Sequence, residues 1–163
     1  MKKFSFIIAV AAMLMLASCG SRRSQAYYNS PSLVLSTNYD GSYVIRTQVR
    51  SRNASTAFTD AQRKAMEEII FDGVRSSAAG VEDLKPLCFD MNAREKHEAY
   101  FMEFFRDKGE WTKYGNLKDK RNFTTTFMRD GRQMVQTVTV TIDRAGIKQK
   151  LQEDGIIPAE GRY

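Results

Sequence analysis

A chain of 163 residues, 42% of them hydrophobic, is long enough to fold as one domain around a real core. Its formal net charge of +6 is compatible with anionic headgroups or glycans nearby. No Gly-rich phosphate loop, nucleophile elbow, EF-hand loop or C-x-x-C or H-x-x-x-H spacing occurs, so no catalytic residue, metal or cofactor is expected and the chain reads as a non-enzyme.

Met1-Lys2-Lys3 forms a positive n-region, and Phe4 to Ala17 forms an apolar run broken only by Ser5. That run falls short of the ~20 residues a membrane-spanning helix needs, and it reads as a signal peptide over residues 1–18. Leu16-Ala17-Ser18-Cys19 resembles the lipobox of bacterial lipoproteins. The resemblance implies that Cys19 is diacylated on sulfur, becomes the mature N-terminus and is acylated again on nitrogen. Two or more chains hold a protein firmly, at about 0.8 kcal/mol per buried methylene, so the membrane is the first expected partner. Lipoprotein sorting as implied by the same resemblance favours the outer membrane, because Gly20 stands where an inner-membrane protein often has Asp. The basic Ser21-Arg22-Arg23 lacks the acidic cue for surface export and points to the periplasmic face, where nucleic acid is not expected as a partner. Without residues 1–18 the chain has 145 residues with 23 basic against 19 acidic side chains, a net +4. Cys88 is then left without a partner for an intramolecular disulfide.

Residues 19–40 read as the lipidated N-terminus and a flexible tether, a solvated linker by default, with contact of Arg22 and Arg23 to lipid phosphates as the alternative. From Ser42 to Arg50 the residues Tyr43, Ile45, Thr47 and Val49 alternate with Val44, Arg46, Gln48 and Arg50, which predicts a half-buried strand. Thr59 and Gln62 fit a capping box that starts a helix at Asp60. Its apolar stripe is Met66, Ile69, Ile70, Gly73 and Val74, and the glycine there implies close approach of another element. After a loop through Pro86, Asn92 and Glu95 cap a second helix with Ala93, His97, Tyr100, Phe101, Phe104 and Phe105 on one stripe, closed by Gly109.

Asp130-Gly131 predicts a two-residue type I′ hairpin turn. That register sets Phe127 opposite Met134, Thr125 opposite Gln136 and Phe123 opposite Val138, leaves a threonine-rich second face, and opposes the like charges of Arg129 and Arg132. Asp143 caps a short helix with Ile147 and Leu151 facing inward, Gly155 stops it, and residues 156–163 form a tail. The expected fold is one α+β domain over residues 41–155. It consists of a small, largely antiparallel three- or four-stranded sheet, covered on one face by two main helices, with a short C-terminal helix. The string DGRQMVQTVTVTIDRAGIKQKL, behind a strand and an Ala- and Met-bearing helix, resembles small envelope domains of flagellar-assembly periplasmic proteins and related lipoproteins. The resemblance implies a structural or assembly role.

Two constellations compete for a function. Cys88, Asp90, Glu95, His97 and Glu98 are close in sequence, but a thiol nucleophile needs a base in reach and a third group to orient it, which spacing does not supply. Residues 110–123 interleave Trp111, Tyr114 and Phe123 with Lys113, Lys118, Lys120 and Arg121. Aromatics among cations stack on sugars or grip anionic polymers, so Trp111, Lys113, Tyr114, Lys120 and Arg121 are the candidate ligand contacts. The leading expectation is a lipid-anchored structural or interaction module that docks an envelope protein, with strand Met134 to Ile142 offering an edge. The alternative is a glycan- or anionic-lipid-binding lipoprotein using Trp111 and its basic neighbours.

Overall fold

The computed structural model describes residues 31–51, 53–115, 123–130 and 133–159. Five strands, β1 Leu33–Thr37, β2 Tyr43–Ser51, β3 Arg75–Ser76, β4 Phe123–Asp130 and β5 Gln133–Ile142, form one sheet in the order β3-β1-β2-β5-β4. Only the β1 and β3 pair is parallel. Helix α1 Ala54–Phe71 lies across β2 and β5. The short helices α2 Ala93–Lys96 and α3 Glu98–Phe104, a 3₁₀ turn Glu110–Tyr114 and the helix α4 Arg144–Glu153 complete the described elements. The α+β class is the expected one. The sheet carries more strands than expected, because β1 lies inside the segment read as a tether and two residues of β3 join its outer edge.

Alternation sets the sheet's two faces. In β2, Ile45, Thr47 and Val49 are buried and pair with Val140, Val138 and Gln136 of β5, also buried, beneath α1. The intervening Val44, Arg46 and Gln48 pair with Thr141, Thr139 and Thr137, which are half-buried at most. The threonine face therefore turns away from the helix. β1 adds Val34 to the core opposite Ile45, and a register shift between Val34 and Ser36 lets so short a strand follow the twist of β2. Its start is fixed by two contacts: Ser32 Oγ bonds Thr47 Oγ1 at 2.6 Å, and Ser32 N donates to Glu68 Oε2 at 3.0 Å.

Helix α1 starts six residues earlier than the capping box suggested. Asn53 is the cap, its Oδ1 accepting from Thr56 N at 2.8 Å, and the added turns bury Ala57 and Phe58. Thr59 sits inside the helix with its hydroxyl on the Ser55 carbonyl. At the other end Gly73 has φ 79° and donates to Glu68 O at 2.6 Å, closing the helix in the left-handed region. A Cβ there would meet Leu84 O at 2.5 Å, so the expected close approach is real. The segment through Leu84 returns past the helix end, with Leu87 N and Cys88 N donating to the Ile69 and Ile70 carbonyls.

The second helix is interrupted where one run was expected. His97, at φ −117° and ψ 32°, separates α2 from α3. The aromatic stripe survives the break: Phe101 and Phe104 are buried, and Phe71 meets Phe101 edge-on at 4.7 Å. The hairpin register also differs near the turn. Asp130 pairs with Gln133 and Arg129 with Met134, so Arg129 does not oppose another arginine. Two extra residues on β4 between Thr124 and Met128 then restore the expected pairing of Phe123 with Val138. β5 is central, between β2 and β4, so the expected edge on Met134 to Ile142 belongs instead to β4. Asp143 caps α4 through Gly146 N at 2.9 Å as expected, and Ile157, in the expected tail, docks on the core.

Candidate functional site

The five candidate contacts separate in the structure. Trp111 is 1% exposed, its Nε1 donates to Arg106 O at 2.9 Å, and the Arg63 guanidinium lies 5.2 Å from its ring centre. Its indole is thus a core plug under an arginine, with no open face for a sugar to stack on. Tyr114 is half-buried, stacks on Phe104 and accepts from Asp143 N through its carbonyl at 2.8 Å. Lys120 and Arg121 lie outside the described residues. Lys113 alone among the candidates lines a surface cleft of about 470 Å³, together with Tyr100, Phe104, Arg106, Lys108 and Glu110.

A polar chain ties this cleft to the C-terminal helix. Tyr100 Oη donates to Asp154 Oδ2 at 2.7 Å, and Lys150 Nζ reaches Asp154 Oδ1 at 2.9 Å and Glu110 Oε2 at 3.2 Å. Lys113 closes the chain on Glu110 Oε1 at 2.9 Å. Burial, reinforced by the Asp154 carboxylate, pushes the Tyr100 hydroxyl above its ordinary range. Hydrogen bonds that Lys150 donates to Asp154 and Glu110 raise its pKa, and those that Lys113 and Lys150 donate lower that of Glu110. Burial works against the charge on Asp154, yet the bonds from Lys150 and Tyr100 outweigh it and hold the carboxyl low. The chain is therefore a charged lock joining α3, the 3₁₀ turn and α4. Tyr100 and Asp154 are 54 residues apart, and no local signal marks the pair.

Two cations at the cleft are engaged: Arg106 with Glu103 at 2.9 Å and Lys113 with Glu110. Among the described residues Lys108 makes no ion pair, and it holds φ 59°, the left-handed region that costs a side-chain-bearing residue about 1–2 kcal/mol. The cleft can thus present one ammonium beside the rims of Tyr100 and Phe104 to a small anionic or hydroxylated group.

The Cys88 constellation does not assemble a nucleophile. Cys88 is 5% exposed, and burial with the neighbouring Asp90 charge pushes its thiol up to about 11. That is the reverse of the depression a reactive thiolate needs. Asp90 accepts from Asn92 N and Lys96, while Phe89 and Met91 beside it project into solvent. Among the described residues no group of three His, Cys, Asp or Glu side chains could hold a metal ion.

The sheet face opposite α1 was legible in the threonine alternation but not as a charged surface. Cross-strand pairing puts Arg75, Leu33, Arg46 and Thr139 in one row on that face, and Arg75 and Arg46 are exposed. Neither arginine makes an ion pair among the described residues.

No protein-family model, curated protein or solved structure matches this chain. Among the described residues no helix is long and apolar enough to cross a membrane.

Proposed function

We propose that the chain is a lipid-anchored envelope protein, held through Cys19 on the periplasmic side of the outer membrane, whose α+β domain is a non-enzymatic interaction module for an envelope protein partner. One observation carries the docking half of this reading: among the described residues β4, Phe123–Asp130, pairs with β5 alone and forms an edge of the sheet. An edge of that length offers a row of backbone donors and acceptors to an extended segment of a partner. The lipobox-like Leu16-Ala17-Ser18-Cys19 and the likeness of the C-terminal part to envelope-assembly domains support the location and the role. A photo-crosslinking residue at Thr126 in intact cells tests the docking half. A discrete adduct with one envelope protein is expected, absent when the probe sits at Ser55 on α1. No adduct at any β4 position would count against it.

The cleft favours a second reading, a lipoprotein that binds a glycan or an anionic lipid. With Trp111 buried, its ligand contacts would be Lys108 and Lys113 rather than the indole. Titration of cell-wall glycan fragments into the chain, with Lys108→Gln/Lys113→Gln as the comparison, tests it. Binding by the native chain alone supports the reading, and equal heats for both oppose it.

A further inference from the structure

The two exposed arginines on the bare sheet face occupy a particular place. Arg75 on β3 and Arg46 on β2 flank Leu33 on β1, so the backbones that carry the two arginines stand about 10 Å apart across three strands with a half-buried leucine between them. Thr139 continues the row, and Thr137 and Thr141 bring further hydroxyls onto the same face. The only acid in the five strands, Asp130, lies at the turn end of β4 and pairs with Gln133, six residues along β5 from Thr139 and about 20 Å away. Nothing on the strands therefore neutralises the arginine row. Guanidiniums match phosphate oxygens in geometry, and hydroxyls supply additional donors to them.

The position of this row relative to the chain's entry decides what it meets. Leu33 is the first residue of β1, and Ser32 beside it is pinned by Thr47 and Glu68. Twelve residues separate Ser32 from Cys19, a length that spans at most about 45 Å even when fully extended. On the reading that Cys19 carries lipid, the row begins one residue after Ser32, where the anchored segment enters the sheet.

We propose that this sheet face, through Arg46 and Arg75 on either side of Leu33, seats the domain on the anionic phospholipid headgroups of the membrane that anchors it. The face opposite, under α1, and the β4 edge then remain directed away from lipid or sideways, where a protein partner can reach the edge.

The test uses residues 19–163, which contain every described residue, with Cys19→Ser so that no lipid contributes. Co-sedimentation is measured with vesicles of equimolar phosphatidylglycerol and phosphatidylcholine, and with vesicles of phosphatidylcholine alone. Binding to the anionic vesicles only, weakening as salt is raised, is expected. A basic residue near an anionic surface contributes about fivefold to partitioning, so Arg46→Gln/Arg75→Gln should bind about 25-fold more weakly and each single variant about fivefold. Arg46→Lys/Arg75→Lys should retain most of the binding, and circular dichroism checks that the glutamine variants are folded. Inorganic phosphate added at constant ionic strength should not displace the chain, and would do so if the site took free phosphate. Binding unchanged in the glutamine variants, equal binding to neutral vesicles, or loss confined to Lys108→Gln/Lys113→Gln or Arg22→Gln/Arg23→Gln would overturn the proposal. Because the chain tested is unlipidated, this outcome is independent of whether palmitate enters Cys19 in cells.

Discussion

Replacing Glu68 by alanine should destabilise the fold by about 3–4 kcal/mol at neutral pH. Glu68 is 16% exposed and serves two groups: its Oε2 accepts from the buried Ser32 N at 3.0 Å, and its Oε1 stands 3.8 Å from Nζ of Lys64, whose side chain is 6% exposed. Losing a charged acceptor from a buried amide costs about 1.5–3 kcal/mol. Leaving Lys64 without this counter-charge adds to that, though less than a full buried-pair break, because Nζ still donates to Gln48 O at 3.1 Å. The pH dependence gives a second handle. Burial lowers Lys64 below its ordinary 10.5, and Glu68 pulls it back up, so Glu68→Ala should lower it further. A lysine that loses its proton earlier folded than unfolded makes the folded state the lesser proton binder between the two values, so stability rises with pH through that window. The destabilisation should therefore be largest near neutrality and shrink as pH climbs toward 10.5. Urea unfolding of both chains across that range measures it, with Lys64→Met/Glu68→Met expected to recover most of the loss. A loss under about 1 kcal/mol, or one that does not change with pH, would refute the reasoning.

Other positions make independent predictions. Cys88, held protonated up to about 11 against an ordinary 9.0, should react with thiol reagents in the folded chain about a hundredfold more slowly than in urea. Its contribution to stability should be full below pH 9.0 and be lost as pH rises through about 11; rapid modification of the folded chain would contradict both statements. Lys108→Gly should raise the unfolding free energy by about 0.5–1 kcal/mol by relieving its φ of 59°, and a loss would show that the side chain is needed where it stands. Gly115→Ala would drive a Cβ into the fully buried Gln62 side chain, and about 1–3 kcal/mol of destabilisation should appear in the same unfolding assay. An unchanged midpoint would mean that Gln62 moves aside freely.

What could be read from the residues followed local periodicity. The alternation in β2 and β5, the aromatic stripe through Phe101 and Phe104, and the Asp143 cap all depend on neighbours within a few positions, and each stands where expected. Helix α1 was expected to start behind Thr59 but starts behind Asn53, because the added turns bury Ala57 and Phe58, a tertiary gain that propensity does not register. β1 escaped notice because Leu33–Thr37 has no polar alternation of its own and becomes a strand only by pairing with β2 and β3. At the candidate site the aromatic and basic composition around Trp111 marked a segment of which Lys113 lines the cleft. Composition did not show that the indole points inward to Arg106 O, nor that Tyr100 meets Asp154 across 54 residues. The arginine row is a product of pairing three strands, and no single stretch of sequence contains it.

The proposal that Cys19 anchors an interaction module to the envelope has one direct measurement. Cells expressing the full chain are labelled with radioactive palmitate, and the protein is recovered from membranes washed in high salt, which strips electrostatic binding, alongside Cys19→Ala. The account predicts label in the native chain only, with the variant unlabelled and no longer retained in the outer-membrane fraction. Absence of label from the native chain, or equal label in Cys19→Ala, would contradict it.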